Sequence, residues 1–224
     1  MIIAIDGPAA SGKSSVAKRI AQKLGLRYID TGAMYRALTW KALQERIDIF
    51  DEEALVALAK QVKIHFVRPK EGIEERIFVD DIDVTEGIRS PKVGGAVSIV
   101  SRVPEVRRVM VEEQRALAIK DAVVEGRDIG TVVFPDAEVK IFLTAFPSER
   151  ARRRKRELEE KGHKVDITLV EREIITRDEI DSTRLASPLS KAYDALLIDT
   201  TEKSIDQVVD EILGYIEGRE EEKK

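Results

Sequence analysis

Gly7-Pro8-Ala9-Ala10-Ser11-Gly12-Lys13-Ser14 sets two glycines, a lysine and a hydroxyl in the spacing G-x-x-x-x-G-K-[ST]. Each residue type has a task in holding a chain of phosphates. Gly7 and Gly12 let the backbone curl until successive N–H groups point at one cluster of oxygens. A helix that follows such a loop adds the positive end of its dipole. Lys13 can reach the β- and γ-phosphates, and the Ser14 hydroxyl can ligate Mg²⁺. Ser15 follows in the same turn. A random chain of this length shows the pattern in roughly one case in a hundred. The chemistry expected of residues 7–15 is the binding of a nucleoside triphosphate with Mg²⁺.

The surrounding residues must supply a strand before this loop and a helix after it. Residues 2–5 are a short apolar run ending at Asp6-Gly7-Pro8, as a buried strand of a parallel sheet would be. Val16, Ala17, Ile20, Ala21 and Leu24 recur at helical spacing, and Gly25 stands where a helix would stop. Arg27-Tyr28-Ile29-Asp30 reads as a second strand, which completes a βαβ unit. Helices are predicted over 32–46, 51–62 and 103–120. Residues 62–84 are rich in β-branched and aromatic types, with Pro69 and Gly72 between two runs. They predict a small antiparallel hairpin set inserted into the chain.

Buried strands are predicted at 122–124, 139–143 and 195–198, with charged helical segments between the last two. Ser204 and Gln207 form a capping-box pattern. Ile205, Val208, Val209, Ile212, Leu213 and Ile216 mark one face of a final helix, with a polar tail from Gly218. Five strands alternating with helices predict an α/β fold, a parallel sheet covered on both faces. Trp40, Phe50, Phe66 and Phe78 read as packing residues. His65 and His163 read as structural or exposed.

Composition narrows the function classes. The chain has 224 residues, 43% apolar and 36% charged, with a net charge of -4. That argues against a general nucleic-acid binder, whose domain is usually basic. No apolar segment approaches the length of a membrane span. The N-terminus lacks the basic and long apolar regions of a signal peptide, so a soluble cytoplasmic protein is expected. Cysteine is absent, which excludes disulfides and thiolate chemistry. Asparagine is absent too, and the many charges with few amides suit a thermophile. Without asparagine there is no Asn-Lys-x-Asp guanine-reading element. Leu196-Leu197-Ile198-Asp199 lacks the following Glu of a mechanical ATPase strand. Glu125, after the 122–124 strand, is the better carboxylate for magnesium. Small-molecule kinases remain.

Three further segments then carry a resemblance. They are Asp30-Thr31-Gly32-Ala33-Met34-Tyr35-Arg36, Glu125-Gly126-Arg127-Asp128-Ile129-Gly130-Thr131-Val132-Val133-Phe134-Pro135, and Arg177-Asp178-Glu179-Ile180-Asp181-Ser182-Thr183-Arg184. Together they resemble the bacterial cytidylate kinases over essentially the whole chain. The resemblance implies a P-loop NTPase fold with a five-stranded parallel sheet flanked by helices. It implies a small antiparallel β insert on the monophosphate-binding side, over about 61–95, within a core of 1–60 and 96–224. It also implies a helical lid within about 148–186. The reaction implied is phosphoryl transfer from ATP, with Mg²⁺, to CMP or dCMP. The alternative is a P-loop kinase of another small acceptor, such as UMP, AMP or a non-nucleotide.

By the same resemblance, Arg36, Arg127 and Arg184 hold the acceptor phosphate with Thr31 and Tyr35 beside them. Arg177 and Asp181 meet the ribose and the transfer region. Asp128 and Arg107 read the cytosine edge, with Ser98 assisting. Lys13 and these arginines supply the positive charge that phosphoryl transfer needs. Within Arg150-Ala151-Arg152-Arg153-Arg154-Lys155-Arg156, the lid arginines are expected to be Arg150 and Arg154, with Arg153 a close rival. An i,i+4 pair between Arg153 and Glu157 would make part of that run a plain solvated helix. Magnesium would be met by Ser14 and, through water, by Glu125, whose place the family more often gives to Asp. No nucleic-acid or membrane partner is expected, and a monomer is.

Overall fold

The computed structural model describes residues 1–67, 75–118 and 120–221, so Pro69 and Gly72 lie outside the described residues. In chain order the elements are β1 (Ile2–Asp6), α1 (Lys13–Leu24), β2 (Arg27–Asp30), α2 (Thr31–Gln44) and α3 (Glu52–Gln61). Then come β3 (Ile64–Val67), β4 (Arg76–Val79), β5 (Ile82–Asp83), α4 (Pro91–Ser101), α5 (Pro104–Leu117) and β6 (Ala122–Gly126). The last are β7 (Val139–Thr144), α6 (Pro147–Glu160), α7 (Ile167–Thr183), β8 (Leu196–Asp199) and α8 (Ile205–Glu221). Two compact units divide them: Met1–Ile29 with Ala118–Thr183 and Ser187–Lys224, and Asp30–Leu117 with Arg184–Ala186.

The first unit is built on a five-stranded sheet in the order β2-β6-β1-β7-β8. The central strand β1 runs parallel to both neighbours, with Asp6 opposite Gly126 on one side and Phe142 on the other. Parallel strands end at one edge of the sheet, so the loops after β1 and β6 leave from the same place. That register brings residues 120 apart in sequence into one site. Ile3, Ile5, Val123 and Ile141 are fully buried or nearly so, as a strand covered on both faces requires. Val16, Ala17 and Ile20 of α1 and Val208, Val209 and Ile212 of α8 pack on the same core. The Ser204–Gln207 capping box forms reciprocally at 2.8 and 3.2 Å. α8 continues through Glu221, beyond the expected tail at Gly218. β8 is an edge strand, not the fully buried one predicted. Ile198 is buried under α8, but Leu197 on the other face is 54% exposed.

The second unit holds a separate three-stranded antiparallel sheet in the order β3-β4-β5. Ile77, Val79, Val84 and Ile88 form its core with Ala33 and Ala37 of α2, and Trp40 and Phe66 pack against it. His65 is exposed and stacks on the Phe78 ring at 5.4 Å. A second cluster joins Met34 and Leu38 of α2, Leu55 of α3, Val97 of α4 and Val106 and Met110 of α5. Phe50, expected to pack, is instead 64% exposed in the turn before α3, where its N–H bonds to the Asp48 carboxylate. The helix α4 is not anticipated by its apolar spacing, because Gly94 and Gly95 interrupt it. Its start was legible: Ser90 caps the N–H of Val93 and Pro91 occupies the first turn.

Candidate active site

The phosphate loop joins β1 to α1. Gly7 has φ 149°, and a Cβ there would lie 2.0 Å from the Leu143 carbonyl oxygen, so only glycine fits. Gly12, at φ 94°, is the N-cap of α1, and no side chain caps the helix. The first N–H groups of α1 therefore have no side-chain acceptor, the condition under which a helix N-terminus can take an anion. Ala10 also stands in the left-handed region, at φ 57°, a conformation that favours glycine. Lys13 is buried, and its Nζ donates to the Pro8 carbonyl at 2.7 Å and reaches the Ser11 hydroxyl at 3.5 Å. Ser14 and Ser15 are exposed on the first turn of α1.

Around Lys13 the first unit gathers charge from β1, β6 and α7. Burial pushes the Lys13 ammonium down to about 7, and the Arg127 and Arg177 guanidiniums push the same way against Glu125 and Asp6. Arg127 donates from Nε to Asp181 Oδ2 at 3.0 Å and from Nη1 to the Gly126 carbonyl at 3.2 Å. Two residues predicted for the site, on β6's loop and on α7, are thus one ion pair. Asp128 is buried at the start of a wide turn, 129–133, closed by the Phe134 N–H to the Ile129 carbonyl at 2.7 Å. Glu125 is buried, and its Oε1 accepts from the Tyr28 hydroxyl at 2.5 Å.

The segment expected to be a lid forms the helices α6 and α7, packed through Ala151, Leu158, Val170 and Ile174, with Ala10 of the phosphate loop against them. Arg150 is buried. It donates to the Ala145 carbonyl at 2.9 Å, the Ala9 carbonyl at 3.2 Å and the Asp178 carboxylate at 2.5 Å. Arg153 does not pair with Glu157. It pairs with Glu149 at 3.1 Å and donates to the Thr200 hydroxyl and carbonyl. Arg154 takes Glu157 instead, at 2.7 Å. On a helix both i−4 and i+3 partners lie within reach, so spacing alone does not choose between them.

In the second unit Asp30 organises the start of α2. Its Oδ1 accepts from the Ala33 N–H at 3.0 Å, and its Oδ2 takes Arg36 Nη2 at 2.6 Å. A Cβ on Gly32 would press on Arg36 Nη1 at 3.1 Å and Asp30 Oδ1 at 3.2 Å. The glycine lets the guanidinium fold back onto the first turn, which explains the Asp-Thr-Gly spacing. Burial alone would raise the Asp30 carboxyl. Arg36 beside it, the Ala33 N–H and Arg89 outweigh that and hold it below the usual carboxylate range. Arg107 is 2% exposed, donates to the Ser101 carbonyl at 3.2 Å, and lies over the Tyr35 ring at 5.0 Å. Thr31, Ser98 and Arg184 are buried in this unit as well.

Sequence reasoning overlooked Asp6 and Lys140. Asp6 accepts from the N–H groups of Ile129 and Gly130 at 2.8 and 2.7 Å. Lys140, buried on β7, pairs with Asp194 at 2.9 Å. A buried lysine inside a strand pattern was the one available signal for the latter. Among the described residues no group of three or more His, Cys, Asp or Glu is arranged for a metal. A hydroxyl such as that of Ser14 and a carboxylate such as that of Glu125 are oxygen donors of the kind a hard ion takes.

The parallel sheet, the glycine loop after its central strand and the buried lysine define a P-loop nucleotide-binding protein. The chain belongs to the cytidylate kinase family: the sequence model of the family described as Cytidylate kinase matches residues 3–218. It is 51% identical to the cytidylate kinase of Desulforamulus reducens over 216 residues, covering 96% of each chain. It is 52% identical to that of Bacillus subtilis, again over 96% of each. Among solved structures it is similar in fold to an uncharacterized protein from Eubacterium ventriosum, with a TM-score of 0.51, 17% identity and 97% and 98% of the two chains covered.

Proposed function

We propose that this protein transfers the γ-phosphate of ATP to CMP or dCMP, releasing ADP and CDP or dCDP. A phosphate oxygen of the acceptor attacks the γ-phosphorus as the bond to the β-phosphate bridging oxygen breaks. The observation that carries the reading is the burial of Lys13 at the phosphate loop, which with Arg127 and Arg177 beside it destabilises its ammonium against the pull of Glu125 and Asp6. Positive charge at fixed positions is the main demand of phosphoryl transfer.

The loop N–H groups and Lys13 hold the β- and γ-phosphates in this reading. Arg177 and the lid arginines Arg150 and Arg154, in about 148–186, balance charge on the moving group. Arg150 would have to exchange Asp178 or the Ala9 carbonyl for phosphate, so closure and nucleotide binding are one event. Ser14, and Glu125 through water, would hold Mg²⁺, which when bound neutralises phosphate charge. Arg36, Arg127 and Arg184 hold the acceptor phosphate, with Thr31 and Tyr35 beside them, and Asp181 orients Arg127 and the ribose. Asp128 accepts from the cytosine N4 amino group while Arg107 donates to N3 and O2, with Ser98 assisting. Tyr35 then acts as the platform under Arg107. Uracil would set a carbonyl against Asp128, so UMP is rejected. The β insert of about 61–95 is assigned to the acceptor side.

The acidic balance supports a protein without nucleic-acid partners, and no helix of the described residues is long and apolar enough to cross a membrane. We take it to be a cytoplasmic monomer suited to warm conditions. The test is coupled ADP release with ATP, Mg²⁺ and CMP, dCMP, UMP, AMP or GMP. Turnover confined largely to CMP and dCMP is expected. Turnover confined to another acceptor would discard the roles of Asp128, Arg107 and Ser98.

A further inference from the structure

The turn 129–133 has a donor problem that the chain solves from a distance. Inside the turn, the Asp128 carbonyl takes the N–H groups of Val132 and Val133, and the Ile129 carbonyl takes Phe134. The N–H groups of Ile129 and Gly130 point the other way and find no acceptor within the turn, like the first donors of a helix. Asp128 stands where a capping aspartate normally accepts such donors, yet its side chain makes no cap. Asp6 does so instead, 123 and 124 residues away, with one carboxylate oxygen on each N–H at 2.8 and 2.7 Å. Lys140 closes the other side: a Cβ on Gly130 would meet its side-chain carbons at 3.2 and 3.3 Å and Asp6 Oδ2 at 3.5 Å.

We propose that Asp6 is a positioning residue for acceptor recognition, capping this turn so that the Asp128 carboxylate and the Arg127 guanidinium are aimed at the nucleotide. The inference rests on the reading above that those two side chains meet the acceptor. Its physical logic is a division of labour. A carboxylate used as a cap is turned toward its own backbone, and a base-reading carboxylate must be turned outward. Supplying the cap from β1 lets Asp128 be the second kind. Asp6 also lies one residue before Gly7, so the same residue ties the acceptor-reading turn to the strand that carries the phosphate loop. The arrangement is kept although burial pushes the Asp6 carboxyl up to about 6, with Asp128 pushing the same way and Lys13 and the two N–H groups opposing. A buried acid held against that penalty has a task.

The test is Asp6→Asn, which keeps one acceptor oxygen and turns an NH₂ toward the other N–H. Thermal unfolding and ATP binding report its fold. The expected result is a loss of about ten- to a hundredfold in kcat/KM for CMP. The preference for CMP over UMP should shrink by about tenfold, while KM for ATP moves less than about threefold. In an Asp128→Ala background, Asp6→Asn should change the CMP-to-UMP ratio no further. If Asp6→Asn does not fold, Gly130→Ala disturbs the same clamp from the Lys140 side and is expected to shift the ratio in the same direction. A folded variant with an unchanged CMP-to-UMP ratio overturns the inference, as does an equal shift with and without Asp128. If the unaltered protein turns over no CMP, the functional reading fails and takes the inference with it; turnover with an unmoved ratio sinks the inference alone.

Discussion

The ends of β1 and β2 both carry an aspartate whose two oxygens each accept a hydrogen bond, yet the two sites sit in opposite electrostatic states. Asp6 accepts two backbone N–H groups and is pushed up to about 6. Asp30 accepts one N–H and the Arg36 guanidinium and is held below the usual range. At Asp6 two N–H groups and the Lys13 charge do not offset burial, whereas at Asp30 the Arg36 guanidinium, in direct contact, with one N–H and Arg89 does. The same contrast runs through the surroundings. Beside Asp6, burial takes Lys13 down to about 7, with Arg127 and Arg177 pushing the same way and Glu125 and Asp6 opposing. Beside Asp30 the arginine is matched before any ligand arrives. In one region burial outweighs the neighbouring charges, and in the other a neighbouring charge outweighs burial.

The largest expected effect breaks the first region. Lys13→Ala should lower kcat with ATP by about a hundred- to a thousandfold, the usual consequence of deleting one donor to a developing phosphate charge. A steady-state assay reads it, and a loss below about tenfold would show that the arginines suffice without the lysine.

The two aspartates predict opposite pH slopes of stability. The Asp6 pKa is raised from 3.8 to about 6, so its contribution is fully present below about 4 and is lost as pH rises through about 6. A shift of that size corresponds to about 3 kcal/mol as an order of magnitude. Asp30 is lowered, so its contribution is present above the ordinary carboxylate range and is lost as pH falls. Urea unfolding between pH 4 and 7 should therefore show a downward slope that disappears in Asp6→Asn. Asp30→Asn should remove an opposing slope on the acid side.

Asp30→Asn has a smaller kinetic effect. Freed from its carboxylate, Arg36 should raise KM for CMP by about tenfold, in line with a charge-assisted hydrogen bond, and leave KM for ATP nearly unchanged. An equal rise for both substrates would mean that Asp30 supports the fold at large.

The smallest effect is a fraction of a proton. Lys13, near half-charged at pH 7 without phosphate, should become fully charged when ATP binds. Calorimetric titration with MgATP in buffers of different ionisation enthalpy should show proton uptake that is missing in Lys13→Met. ATP affinity should fall as pH rises above about 7. Equal proton release in both proteins would mean that the lysine is already charged.

Much of this was legible in the chain. The phosphate loop is contiguous, so its residue types and spacing state the chemistry, and the strand before it and helix after it follow from local periodicity. The Asp30–Arg36 clamp is local too, closed within two turns of one helix. The choice of partner for Arg153 was not, because Glu149 and Glu157 are equally spaced and Thr200 is distant in sequence. Phe50 and Leu197 were misjudged because apolar character does not state which face a neighbour covers. Helix α4 was missed because its glycines weaken the pattern while its cap and proline remain readable.

By itself, then, the sequence determined the α/β order, the phosphate-loop motif, the family resemblance and many of the charged candidates, though not Asp6 or Lys140. Only the tertiary structure decided which of those groups pair with one another. Parallel pairing of β1 with β6 sets Asp6 beside a turn 123 residues on, and α7 sets Asp181 against Arg127. Such contacts depend on strand register and helix docking, which are fixed by burial of the whole core and leave no local mark at either partner.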